Sequence, residues 1–231
     1  MKRSVIMAIG IIVLLTNVVL AQPPNILSNE TTSARARVSF LMSSVENIPH
    51  NLYIVGINER RLDDRWPWRQ FDKHEEIWTG KYYAYVNRPG DSKSVLQTVP
   101  LFNSKTYQTT NPSQRINVHY PNYDGFYLVK GKAGQPDILV CTIRQTGGGS
   151  FSARTFIIKN GKLQLMRFMG EEQKIRDSHI IGFERLYYLP DGTLAVPWWT
   201  NSPEMHGRYT TVYMIDVDNL ILISAYTNKD N

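Results

Sequence analysis

Thr155-Phe-Ile-Ile-Lys-Asn-Gly-Lys-Leu-Gln-Leu165 is the stretch that decides the fold class. Two runs of branched and aromatic residues flank Asn160-Gly161. Asn-Gly suits a two-residue hairpin turn because both residues accept positive φ. A β-hairpin is therefore expected here. Working outward, residues 82–86, 126–129 and 138–143 carry the same signal, as do 186–189, 194–199, 210–215 and 220–226. Each run is rich in strand-forming residues and bounded by turn formers. Asp191-Gly192 marks a second hairpin, and residues 52–57 read as a further strand. Residues 34–45 fit either a short helix or a strand. No long window places apolar residues at helical spacing, so the class is mainly β.

A shift of 57 residues lays Phe156-Ile157-Ile158 on Tyr213-Met214-Ile215, and Leu163-Gln164-Leu165 on Leu220-Ile221-Leu222. The same shift sets Gly125-Phe126 on Gly182-Phe183 and, run backwards, Asn160 on Asn103. Several strands within a unit of that length suit four-stranded sheets that stack on one another. The expected architecture is antiparallel meander sheets, propeller-like or sandwich, with a repeat of about 57 residues.

One unit carries a family resemblance. Gly131-Lys-Ala-Gly-Gln-Pro-Asp137-Ile-Leu-Val140, Gly147-Gly-Gly149 and Thr155 to Leu163 together resemble a blade of the FG-GAP/VCBS-type repeats of exported bacterial proteins. The resemblance implies a repeated β-sheet fold. It also implies a Gly- and Asp-rich loop that can hold calcium ahead of the strand. This chain keeps Asp137 but has Lys132, Ala133 and Gln135 where acidic loop ligands would stand. The expectation is a β repeat without the calcium site.

The N-terminus reads as an export signal. Met1-Lys2-Arg3 is followed by an apolar run over residues 5–20, and Val19-Leu20-Ala21 is a small-residue ending of the kind signal peptidase accepts, with the cut before Gln22. The run is shorter than the ~20 apolar residues of a spanning helix and contains Thr16-Asn17. Gln22 stands where a lipoprotein would need cysteine. The domain plan is a signal peptide over 1–21, a flexible leader over 22–33 with little to bury, and one mainly β domain over 34–231. The processed chain is expected to be soluble and secreted, or held in the periplasm or envelope. Losing Lys2 and Arg3 lowers the formal charge from +6 to +4. The remaining bases are scattered, which argues against a nucleic-acid partner. With Cys141 alone, no internal disulfide can form, and packing must supply stability.

The candidate chemistry is sparse. Cys141 lies in an apolar strand and reads as a buried, inert thiol. Gly148-Gly149-Ser150 lacks the following Gly of a nucleophile elbow and the Gly-Lys-Ser/Thr ending of a phosphate loop. His74-Glu75-Glu76 lacks the second His of a zinc helix. Glu204-Met205-His206 and Asp177-Ser178-His179 are small loop clusters, and Asp216-Val217-Asp218-Asn219 lacks the remaining acids and the Gly of a calcium loop. No catalytic residue, metal or cofactor is assigned. A carboxylate pair drawn from Glu75 or Glu76 with Glu184, Asp191 or Glu204 keeps a secreted hydrolase as the alternative.

Aromatics are the informative surplus. Trp66 and Trp68 stand between Arg65 and Arg69, a mixture common in binding surfaces. If residues 194–199 form a strand, Trp198 and Trp199 point to opposite faces, leaving one for the core and one for a ligand. Trp66, Trp68 and Trp199, supported by Arg65 and Arg69, are the expected contacts. The expected function is non-catalytic binding of an envelope polysaccharide or another exported protein.

Overall fold

The two turn residues of the deciding hairpin both take positive φ, Asn160 at 53° and Gly161 at 70°. The strands they join, residues 151–159 and 162–169, pair antiparallel with Leu163 opposite Ile158. A computed structural model describes residues 23–61, 76–102, 116–120, 125–144, 151–182 and 184–230 of the chain. Along the chain its elements are β1 (Ile26–Ser28), α1 (Asn29–Arg35), β2 (Ala36–Ser43), β3 (Pro49–Arg61), β4 (Glu76–Asn87), β5 (Lys93–Leu96) and β6 (Ile116–Tyr120). They continue with β7 (Phe126–Val129), β8 (Ile138–Arg144), β9 (Phe151–Lys159), β10 (Lys162–Met169), β11 (Ile175–Arg176) and β12 (His179–Ile181). The last four are β13 (Tyr187–Tyr188), β14 (Leu194–Thr200), β15 (Gly207–Asp216) and β16 (Ile221–Lys229). The protein is mainly β, as its turn chemistry and short apolar runs predict.

Three antiparallel meanders organise these strands. The first runs β2-β3-β4-β5, with β1 added beyond β5. The second is β7-β8-β9-β10 and the third β13-β14-β15-β16, joined into one sheet where residues 167–169 of β10 run parallel to 221–223 of β16. The 57-residue shift thus relates the last two strands of the second meander to those of the third. The turns differ in length, since Asn160-Gly161 makes a two-residue loop and residues 217–220 a four-residue one.

Alternation along the second meander explains how the layers stack. Leu139, Cys141, Ile143, Phe156, Ile158 and Leu163 pack with Leu52, Ile54 and Ala84 of the first meander. The neighbours between them, Ile138, Val140, Ile157, Met166 and Phe168, pack with Leu194, Val196 and Tyr213 of the third. A sheet buried on both faces should read as a continuous apolar run, and residues 151–158 are all buried. Cys141 sits in this layer, and burial pushes its thiol pKa up.

The expected flexible leader is corrected. Of residues 22–33, those from Pro23 onward are described, and they are docked. Pro23 is buried, β1 pairs with β5, and the Tyr85 hydroxyl donates to the Pro24 carbonyl at 2.9 Å. Asn29 N–H donates to Ser92 O, and Leu96 N–H to Asn25 O, each at 2.9 Å. Ser28 caps α1, accepting from Thr31 N–H at 3.1 Å, and Thr32 is fully buried. This segment lies over Tyr53, Val55 and Tyr85 on the outward face of the first meander, with Leu27 and Ala36 filling in. Few apolar residues suffice because the backbone bonds and the sheet face lie elsewhere in the chain. Residues 34–45 resolve into the end of α1 and the strand β2.

Candidate functional site

The third meander also turns one face away from the middle layer, opposite the side on which Leu194, Val196 and Tyr213 are packed. Register places Tyr187 opposite Ala195, Ala195 opposite Val212, and Val212 opposite Tyr226. These four form one row across four strands, with tyrosines at both ends and small or branched residues between. Tyr187 is 47 % exposed and Tyr226 48 %, whereas Ala195 and Val212 are buried. Among the described residues neither tyrosine hydroxyl has a hydrogen-bond partner. The next row on this face is Pro197, Thr210 and Asn228, and the one after pairs Trp199 with Arg208.

The expectation that Trp198 and Trp199 part to opposite faces is met in β14. Trp198 turns inward, stacked on Tyr209 at 4.7 Å and 18°, with its indole N–H donating to Thr211 Oγ1 at 3.0 Å. Thr211 is bonded in turn to Thr227 at 2.9 Å. Trp199 turns outward, half-buried, with the His206 ring edge-on at 5.9 Å. Trp66, Trp68, Arg65 and Arg69 lie outside the described residues, as do Glu75 and the triple-Gly loop at 147–149. Of the expected contacts, Trp199 is therefore the one placed on this face. Tyr187 and Tyr226 join it there, although the sequence did not single them out. Both fall in predicted strands, but nothing local says that they end the same row.

Ionic groups at the face are already matched. Arg208 Nη1 lies 3.3 Å from Glu184 Oε1, and the Thr210 hydroxyl donates to Asp230 Oδ2 at 3.1 Å. Lys229, one residue before Asp230, alternates to the other side and lies 5.9 Å from the Tyr209 ring centroid.

Beneath the face, Phe168, His179 and Tyr213 form a triangle of edge-to-face rings with centroids 5.2 to 5.7 Å apart. Burial holds the imidazole pKa down at about 4, and Arg176 adds to the effect. Burial likewise pushes the Tyr213 hydroxyl up. His179 is thus a neutral packing group here.

The two oxygen-rich turns each receive a lysine. Asp137 accepts from Lys130 Nζ at 2.9 Å, Gly131 N–H at 2.7 Å and Ser43 N–H at 2.8 Å. This nearly buried carboxylate ties β2 to the loop between β7 and β8. Asp216 accepts from the Asp218 and Asn219 amides, and Lys159 Nζ lies 3.1 Å from Val217 O and 3.3 Å from Asp218 Oδ1. Among the described residues, no three His, Cys, Asp or Glu side chains gather closely enough to hold a metal ion.

Two of the carboxylates considered for glycoside cleavage, Glu184 and Asp191, are also engaged. Glu184 is paired with Arg208. Asp191 accepts from the Thr193 hydroxyl at 2.6 Å and its amide at 2.9 Å, bonds that hold its carboxyl below the usual range. A general acid needs the opposite shift.

No helix among the described residues is long and apolar enough to cross a membrane. Comparison with family models, with curated proteins and with solved structures returns no match to this chain.

Proposed function

We propose that this chain is an exported, non-catalytic binding protein of the cell envelope or the extracellular space, and that the outward face of the third meander is its ligand surface. One observation carries the reading: Tyr187 and Tyr226, each about half exposed, and the half-buried Trp199 project from one sheet face, with Thr210 and Asn228 set among them. Aromatic side chains give large contact area at little entropic cost, and clusters of them mark recognition surfaces. The signal-like residues 1–21 supply the route, and the partner is an envelope component. The hydrolase alternative is weakened by the engagement of Glu184 and Asp191.

The chain is purified as the cell produces it, and its mass shows whether cleavage falls between Ala21 and Gln22. Incubated with isolated envelope and centrifuged, the wild type should sediment with the envelope, while the Tyr187→Ala/Tyr226→Ala variant stays in the supernatant. A wild type that remains soluble with every envelope fraction would end the proposal.

A further inference from the structure

Residues 170–182 form a thin strap laid over the junction of the second and third meanders. Its first residues make a turn, with Gln173 N–H donating to Gly170 O at 2.9 Å. Ile175 and Arg176 then pair with Met169 and Phe168 at the end of β10. His179, Ile180 and Ile181 pair with Ala153, Ser152 and Phe151 at the start of β9. Gly182 N–H donates to Pro197 O of β14 at 3.0 Å. Residues 171–177 are exposed throughout, and so is Ile180. The strap buries Ile181 and the His179 ring, which sits edge-on to Phe168 and Tyr213.

The ladders beneath close without the strap. β9 stays paired with β8 over residues 151–156 and with β10 over 155–159. β14 stays paired with β13 and β15. An element with few buried groups, resting on ladders that do not need it, opens at a lower free energy than the whole molecule unfolds.

Of the two buried anchors, His179 is the one that changes charge in mild acid. Phe168 of β10, Tyr213 of β15, Ala153 of β9 and Pro197 of β14 lie on its side, and all are uncharged at neutral pH. Arg176, on the strap itself, adds a positive charge that opposes a second one on the ring. The strap's acids, Glu171, Glu172 and Asp177, are exposed, and Glu172 is paired with Lys174 at 2.8 Å.

We propose that residues 170–182 are an acid-released strap: protonation of His179 detaches it from β9, β10 and β14 while the meanders stay folded. Release frees the β9 edge at residues 151–153 and uncovers Phe168 and Tyr213. A freed strand edge beside apolar rings is a template for pairing with another strand. The switch stands apart from the ligand reading above.

The direction follows from proton binding. The docked ring holds its proton only below about pH 4, whereas a detached ring binds one near pH 6.5. The detached strap therefore holds more protons between those values. Its opening equilibrium should rise by up to about 300-fold as pH falls through that window, and stay flat above it.

Hydrogen exchange of the full chain, followed by mass spectrometry from pH 7.5 to 4 and corrected for intrinsic rates, tests this. Peptides from residues 170–182 should lose protection steeply below pH 6.5, while those from β8, β10 and β15 keep theirs. His179→Phe should hold the strap's protection level across the same range. In the wild type, the His179 ring signals in NMR should titrate well below those of an exposed histidine. Loss of protection spread evenly over all strands overturns the proposal in favour of global unfolding. Loss confined to the strap but unchanged in His179→Phe overturns it in favour of the strap's carboxylates. A His179 ring that titrates near pH 6.5 with the strap still protected overturns it whether or not the variant folds.

Discussion

The first and third meanders each turn one sheet face away from the middle layer, and both faces are rich in tyrosine. The first carries Tyr53, Tyr83 and Tyr85, and the third Tyr187 and Tyr226 beside Trp199. The first face is closed by residues 23–36, so Tyr85 is buried and its hydroxyl is bonded to Pro24. On the third, Tyr187 and Tyr226 stand half in water at the ends of a row whose middle residues, Ala195 and Val212, are buried, and among the described residues neither hydroxyl has a partner. The same residue type is a core element in one place and a candidate contact in the other. Placement within the sheet makes the difference, and composition does not.

Removing the cover from the first face should give the largest effect. Deleting residues 22–35 returns Tyr53, Val55 and Tyr85 to water, a loss of about 5 kcal/mol at the usual value of a buried large side chain. Urea unfolding measures it. A loss within 1 kcal/mol of zero would mean that the segment decorates the face without closing it, and the contrast between the two faces would collapse.

The layer beneath the outward face of the third meander gives the next effect. His179 is neutral in the fold with a pKa near 4, whereas in the unfolded chain it binds a proton near pH 6.5. The unfolded state thus holds more protons between those values. Stability should fall as pH drops from about 6.5 to about 4, by at most ~3 kcal/mol from this group. His179→Phe keeps a ring against Phe168 and Tyr213 and should flatten that part of the pH dependence. Unfolding midpoints at the two ends of the window test this, and an unchanged slope in the variant would contradict it.

Loss of the open aromatics should separate binding from stability. Tyr187→Ala and Tyr226→Ala should each cost about 1–2 kcal/mol in ligand affinity, yet shift stability by less than about 1 kcal/mol, because each side chain is already half exposed. Sedimentation with envelope and thermal unfolding of the same samples give the two numbers. The smallest contrast is a matched pair of single-atom changes. Tyr85→Phe deletes a bond to Pro24 O and should cost about 1 kcal/mol of stability. Tyr226→Phe deletes an open hydroxyl and should leave unfolding unchanged.

Local signals account for much of the fold. Asn160-Gly161 announced its hairpin because positive φ at two successive positions is a property of the residues themselves. Cys141 was readable as inert because an apolar strand run predicts burial whatever it packs against. The opposed directions of Trp198 and Trp199 followed from strand alternation alone. The docked segment at 23–36 was not legible. Its few apolar residues look insufficient until Tyr53, Val55 and Tyr85 are known to need covering, and that need arises across more than fifty residues of chain. The lysines in the Asp137 and Asp216 turns were missed for the same reason in the second case, where Lys159 reaches Asp218 from a different hairpin.

By itself, then, the sequence determined the β class, the hairpin turns, the strand runs and the two-sided character of β14, because each depends on neighbours within a few residues. Only the tertiary structure decided which tyrosines are core and which stand open. That choice depends on register between β13, β14, β15 and β16, and on which sheet face another segment covers. Both are set by burial between residues far apart in the chain, where a one-residue slip would exchange one face for the other.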